Sequence, residues 1–168
     1  MHVYTTSKEE TGLLSVKEVC KKIDAVQQAR KKPGNLAFQM YRDDGVTVTA
    51  SSGGGPRLWH LVDGIIPSGR TVWVDKTPKE YPDWIEIKLP EAHSIGRVVV
   101  YPHEKSLKDY SVQAFVAREW KDVDKVTGND KEMITHKFSP VVTDRIRLWI
   151  TAANGPNSTI AEIEVYEK

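Results

Sequence analysis

From Asn35 onward apolar residues recur at every second position, and a chain patterned this way is committed to half-buried strands. Val46 and Val48 alternate with Thr47 and Thr49. Ile85, Ile87 and Leu89 alternate with Trp84, Glu86 and Lys88. Tyr110, Val112, Ala114 and Val116 alternate with Ser111, Gln113 and Phe115. Ile146, Leu148 and Ile150 alternate with Arg145, Arg147 and Trp149, and Ala161, Ile163 and Val165 with Glu162, Glu164 and Tyr166. The stretch from Ile95 to Tyr101 is apolar nearly throughout, as in a central strand covered on both faces. Gly/Pro/Asn/Asp clusters separate the runs: Asp43-Asp44-Gly45, Ser51 to Pro56, Pro67-Ser68-Gly69, Thr127 to Asp130 and Asn154 to Asn157. Many short strands with such turns predict an all-β sandwich or jelly roll.

The region before Gly34 follows a different rule. Val16, Val19, Cys20, Ile23 and Val26 recur at spacings of three and four, which predicts an amphipathic helix over about 15–31. Ser15 and Glu18 form a capping-box pair, Arg30 to Lys32 suit the C-terminal end, and Pro33-Gly34 stops the helix. Residues 1–34 are therefore an N-terminal segment and 35–168 the sandwich. The apolar stripe is expected to pack against the sandwich or a neighbouring domain, or to mediate oligomerisation. Cys20, on that stripe, reads as a small buried apolar group. His2 to Thr6 suits a short strand.

Composition narrows the function. The 168 residues carry 24 Lys plus Arg against 23 Asp plus Glu, a net charge of +1. That balance gives no electrostatic case for nucleic acid or an anionic membrane as partner. No apolar run of about 18 residues is present to span a bilayer. A single cysteine excludes an internal disulfide. The start has no basic stretch followed by an apolar one, so no signal peptide is expected in the chain, and a secreted or cell-surface protein is expected to appear here as a mature chain or a fragment.

Motifs for catalysis are missing. There is no His-Glu-x-x-His pair, no glycine loop followed by Lys-Ser/Thr and no Gly-x-Ser-x-Gly elbow. Gly53-Gly54-Gly55 reads as a flexible turn. His2, His60, His93, His103 and His136 lack metal-ligand spacing. A glycosidase needs two acids roughly 5–10 Å apart in a cleft, which a compact sandwich seldom offers. The chain is expected not to be an enzyme.

The order of short blocks is similar to the discoidin, or coagulation-factor C-type, domain superfamily. It most resembles the bacterial carbohydrate-binding modules with a galactose-binding-like jelly roll. The blocks are Asn35-Leu36-Ala37, Val48 to Ser52, Leu61-Val62-Asp63-Gly64 with Trp73, Pro82 to Ile87, Ile95 to Val98, Tyr110 to Gln113 with Trp120, Thr143 to Leu148, and Ala161 to Tyr166. The resemblance does not reach residues 1–34. It implies sheets of five and three strands and non-catalytic binding through loops at one end. It also implies a structural calcium ion, which takes six to eight oxygens. Carried over block by block, Asp63 and Glu162 supply carboxylates, Ser68 a hydroxyl or carbonyl, and Leu61 and Ala161 backbone oxygens. The loop departs from the family pattern at Ile65-Ile66, where oxygen donors are usual.

Sugars are held by an aromatic face and a few polar groups. In the loops of the binding end the candidates are Arg57, Trp59, His60, Arg70, His103 and Asn154, with Trp59 as the stacking platform. Trp73, Trp84 and Trp120 align with packing positions. Trp149 faces outward and is expected to be covered by the N-terminal helix or by a subunit. The leading expectation is a glycan- or polysaccharide-binding module of an extracellular bacterial protein. The alternative is an assembly module that contacts other domains or subunits through the helix and the outer sheet face. A lipid-headgroup or protein-binding role like that of eukaryotic discoidin domains ranks lowest, because terminal cysteines are absent.

Overall fold

A computed structural model describes residues 14–66 and 72–167. Among them, the strands are β1 Thr47–Ala50, β2 Trp73–Val74, β3 Asp83–Pro102, β4 Leu107–Val116, β5 Glu119–Val126, β6 Ile134–Ala153 and β7 Thr159–Tyr166. Helix α1 spans Val16–Gln28, and two 3-10 helices span Gly55–Val62 and His103–Lys105. All strand pairs are antiparallel.

Two long strands make the sandwich from one continuous sheet. The first half of β3 pairs with β1 and with the second half of β6, which pairs in turn with β4 and then β5. The second half of β3 pairs with β7 and with the first half of β6, and β7 pairs with β2. Register breaks between Lys88 and His93 and between Ile95 and Arg97 let both strands turn the corner. The result is a five-stranded sheet facing a smaller one, in which β2 adds a short fourth strand. This is the expected all-β jelly-roll sandwich.

The core lies between the sheets. Ile85, Ile87, Leu148 and Val112 come from the five-stranded side, and Val98, Val100, Ile163 and Val165 from the smaller side. Each such Leu or Ile contributes about 1.5–3 kcal/mol by leaving water. β3 is apolar on both faces in its second half because Val99 and Tyr101 point away from this core into a second cluster with Ala161 and Tyr166. The predicted face of β7 needs a correction. Pairing steps from Tyr101–Glu162 to Pro102–Ile160, and this bulge sends Ala161 to the outer cluster while Ile160 joins Ile163 and Val165 inside.

The N-terminal helix forms as predicted and ends slightly earlier. Glu18 Oε2 accepts from both Ser15 N (2.8 Å) and Ser15 Oγ (2.7 Å). Its stripe, however, stays largely exposed among the described residues. Val19 is 40% exposed, Ile23 48%, Val26 59% and Val16 81%. Cys20 is exposed rather than buried. A helix of 13 residues is marginal in water without packing on one face. From α1 itself, Asp24 Oδ1 accepts from Tyr41 Oη at 3.3 Å; beyond the helix, the Arg30 carbonyl lies against Gly64, and Lys32 reaches Tyr101 and Glu164.

Candidate functional site

The loop after β1 is a tight structural turn and not a flexible one. Gly53 and Gly54 have φ of 71° and 75°. A Cβ on Gly53 would stand 2.3 Å from the Val74 carbonyl, and one on Gly54 2.4 Å from Leu58. Trp73 Nε1 donates to the Ser52 carbonyl at 2.7 Å and its ring is buried, as expected for a packing tryptophan. This turn launches the 3-10 helix Gly55–Val62 against the edge formed by β2.

Three shallow clefts surround these elements. The first, of about 520 Å³, is lined by Arg57, Leu58, His60, Trp73 and Val74. The second, of about 280 Å³, is lined by Val74, Glu104, Ser106, Asn154, Asn157 and Thr159. They share Val74, which is 42% exposed, so the two lie side by side across β2. The third, of about 240 Å³, lies across the 3-10 helix and holds Trp59 with Arg42, Asp43 and Thr47.

The structure therefore distributes the predicted ligand residues. Arg57 and His60 share the first cleft. Trp59 faces the third, its ring stacked on His60 at 4.1 Å and 29°. Asn154 lines the second, where its Nδ2 donates to the carbonyls of Lys105 (2.7 Å) and Asn129 (2.8 Å). These bonds tie three connections together at one end of the sandwich. His103 contributes its carbonyl, which accepts from Thr159 Oγ1 and Ser106 N, while its ring stands 3.8 Å from Glu104. Arg70 lies outside the described residues. Sequence reasoning missed Glu104, Ser106 and Asn157, whose placement depends on strand register. Glu104 and Lys105 sit at φ of 49° and 57°, a left-handed conformation unfavourable for residues with a Cβ.

In a relay-like set, Tyr110 Oη, His136 and Asp124, the phenol and the imidazole are buried while Asp124 reaches the surface. His136 Nε2 lies 2.9 Å from Tyr110 Oη and its Nδ1 2.8 Å from Asp124 Oδ2. Tyr110 and His136 are each 1% exposed. Burial holds the imidazole below its ordinary value, against the opposing pull of Asp124.

A family model described as a NedA-like, galactose-binding domain matches residues 60–148, more than half of the chain. The chain belongs to that family. No curated protein sequence matches it. Among solved structures, this galactose-binding-like chain is similar to chitosan-binding module 1 of a chitosanase/glucanase from Paenibacillus sp. IK-5. The two are 24% identical with a TM-score of 0.65, over 79% of this chain and 98% of that one. It is also similar to the family 32 carbohydrate-binding module of C. perfringens NanJ, solved in complex with galactose, at 23% identity and a TM-score of 0.62, over 73% and 93%. SpGH29 matches at 17% identity and a TM-score of 0.66, over 94% of this chain and 33% of that one. These likenesses are of fold.

The calcium expectation attached to this galactose-binding-like fold is tested by the chemistry around Asp63 and Glu162. Glu162 is fully buried. Its Oε1 accepts from Gly64 N at 3.0 Å, and its Oε2 has no hydrogen-bond partner. Burial pushes its carboxyl well above the usual range, the Gly64 N–H opposes this, and Asp63 and Glu164 add to it. An orphaned, buried carboxylate oxygen beside a second carboxylate fits a hard cation. Asp63 is already engaged, with Oδ1 accepting from Ile65 N (2.9 Å) and Oδ2 at 2.8 Å from His60 Nδ1. No cluster of three or more His, Cys, Asp or Glu side chains is arranged for a metal among the described residues. Further oxygens would have to be carbonyls such as those of Leu61 and Ala161, both on buried residues. Ser68 lies outside the described residues.

Proposed function

We propose that this galactose-binding-like domain is a non-catalytic saccharide-binding module that works outside the cell as part of a bacterial surface or secreted protein. The observation that carries the reading is the pair of clefts sharing Val74 at one end of the sandwich. One offers Arg57 and His60 beside the apolar side chains of Leu58 and Val74, and the other offers Asn154, Asn157, Ser106 and Thr159. Guanidinium, imidazole, amide and hydroxyl groups pair with sugar hydroxyls, and the cleft walls take the C–H faces. The family supports the same class, and the C. perfringens module binds galactose. A calcium ion held by Asp63 and Glu162 would fix the loop that carries His60, supplying charge where Glu162 otherwise has none. The affinity expected of such open clefts is modest.

A glycan array with the purified chain, repeated on Arg57→Ala/His60→Ala, tests the reading. Binding to one sugar class that the double variant loses supports it. No binding to any galactose-type, amino-sugar or plant-wall saccharide sinks it.

The exposed stripe of α1 favours a second reading, an assembly role. The match to SpGH29 reaches into residues 1–34, whereas the isolated modules match 72–80% of the chain. A strict monomer in light scattering, with and without residues 1–29, would remove a self-assembly role.

A further inference from the structure

The outer face of the five-stranded sheet carries side chains that neither the core nor the loop-end clefts use. Trp84 and Trp149 stand directly opposite each other on β3 and β6. Phe115 and Trp120 are opposite on β4 and β5, with ring centroids 5.2 Å apart. Arg147 lies between the two groups, its guanidinium 4.1 Å from the Trp120 ring and 4.5 Å from the Trp149 ring. α1 leaves its stripe exposed and does not serve as the expected cover for Trp149.

The polar groups on this face have unspent donors. Arg147 gives Nε and Nη2 to a single acceptor, Gln113 Oε1, at 2.9 and 2.7 Å. A guanidinium has five N–H donors, and among the described residues the other three have no hydrogen-bond acceptor. Arg145 lies over Phe115, and its buried Nε has no hydrogen-bond partner. Asp144 Oδ1 stands 3.8 Å from that Nε and Glu86 Oε1 3.9 Å from Nη1, both beyond hydrogen-bonding distance. Lys88 and Lys125, exposed at outward positions on β3 and β5, add two more cations. Against these four stand three carboxylates, Glu86 and Asp144 beside Arg145 and Asp122 on β5, the last already accepting from Gln113 Nε2.

We propose that this face is a second binding surface, for an extended acidic polysaccharide. Arginine forks match carboxylate or sulfate groups, and the indoles of Trp84 and Trp149 take sugar C–H faces. From Arg145 to Trp149 the platform runs about 13 Å along β6, a length that suits a chain rather than a single sugar. The middle row of Glu86, Arg147, Gln113 and Asp122 is charged and polar, unlike the dry centre of a protein–protein interface. The proposal shares with the preceding reading only the class of ligand, and it uses different residues.

Affinity electrophoresis and calorimetry with polygalacturonate, and with a neutral galactan as comparator, test it. The wild-type chain is expected to bind polygalacturonate, more weakly as salt rises. Charge reversal at the exposed Lys88→Glu/Lys125→Glu, which leaves the core untouched, is expected to weaken that binding about tenfold. Trp149→Ala weakens it by a similar factor, and Arg57→Ala/His60→Ala leaves it unchanged. Polygalacturonate binding lost in the loop-end variant and kept in the charge-reversed one overturns the proposal while leaving the loop-end reading intact. So does wild-type failure to bind polygalacturonate while the galactan binds. A dimer that Trp149→Ala dissociates, with no polygalacturonate binding, assigns the face to a second copy instead. Acidic binding without any loop-end sugar supports the face and sinks the preceding reading.

Discussion

The two sheets finish their outer faces in opposite ways. The five-stranded sheet leaves Trp84, Trp120 and Trp149 half-buried and interleaves them with arginines that stay partly in water. The smaller sheet buries its outer face under the chain that follows α1. Lys32 donates to Tyr101 Oη at 2.7 Å and pairs with Glu164, which is 2% exposed. Burial works against the ammonium, but Glu164 and Tyr101 hold it above the ordinary lysine range. Tyr166 donates to Glu164 Oε2, with Arg97 stacked 3.6 Å over its ring, and burial and then Glu164 push the phenol up to about 12. An open face can bind a ligand. A covered face spends its polar groups on one another, and any group left out becomes costly.

The largest expected effect comes from uncovering the smaller sheet. Deleting residues 1–34 removes Lys32 and strips Tyr101 and Tyr166 of their cover. We expect a loss of about 3 kcal/mol, most of it from the Glu164 carboxylate, which keeps its bond from Tyr166 but loses its cation. Deleting only residues 1–29 keeps that cover and is expected to cost under about 0.5 kcal/mol, since the α1 stripe stays largely exposed and the bond from Tyr41 to Asp24 is itself exposed. Denaturant melts of the two truncations check this, and equal losses would show that α1 itself supports the sandwich. Next comes Glu162, the acid on the covered face without a cation. Calcium is expected to raise the melting temperature of the wild type and not of Glu162→Gln. In chelator the variant is expected to be the more stable by about 1–2 kcal/mol, because it removes a buried charge. An unchanged midpoint with and without chelator would remove the calcium expectation.

Between the faces lies His136, and it makes stability pH-dependent. Its folded value is depressed, so below about 6.5 the unfolded chain binds a proton that the folded one resists. The contribution is fully present above that pH and is lost as pH falls through it. The difference in melting temperature between wild type and His136→Gln, followed from pH 8 to pH 5, is expected to move against the wild type on acidification. A constant difference would refute the assignment.

Much of this was legible in the chain, for a physical reason. A period of two records which face of a strand is buried, so Ile85, Val112 and Leu148 announce the core, and Ser15 with Glu18 announces the helix start. What was hidden depends on register and on covering segments. The bulge that turns Ala161 outward leaves no compositional mark. The loss of cover from α1 is equally silent, because an amphipathic stripe reports that something must pack there and not what. The site was legible by segment and not by geometry. Arg57, Trp59 and His60 are neighbours in sequence, yet the 3-10 turn sends Trp59 to a different cleft from the other two.

A smaller effect than the loss of the cover separates the two faces most sharply. Arg147→Lys keeps the charge on the open face but loses the planar stacking on Trp120 and Trp149 and the two-pronged bond to Gln113. We expect it to cost about 1 kcal/mol, since both partners remain within reach of water and a lysine restores part of the bond. A double-mutant cycle with Gln113→Ala isolates the bond from the stacking. On the covered face the corresponding change, Lys32→Arg, keeps the charge but asks a larger planar head to fit between Tyr101 and Glu164, where packing is closed. If the open-face change proves the costlier of the two, the ladder of Trp120, Arg147 and Trp149 holds the sheet together more than it waits for a ligand.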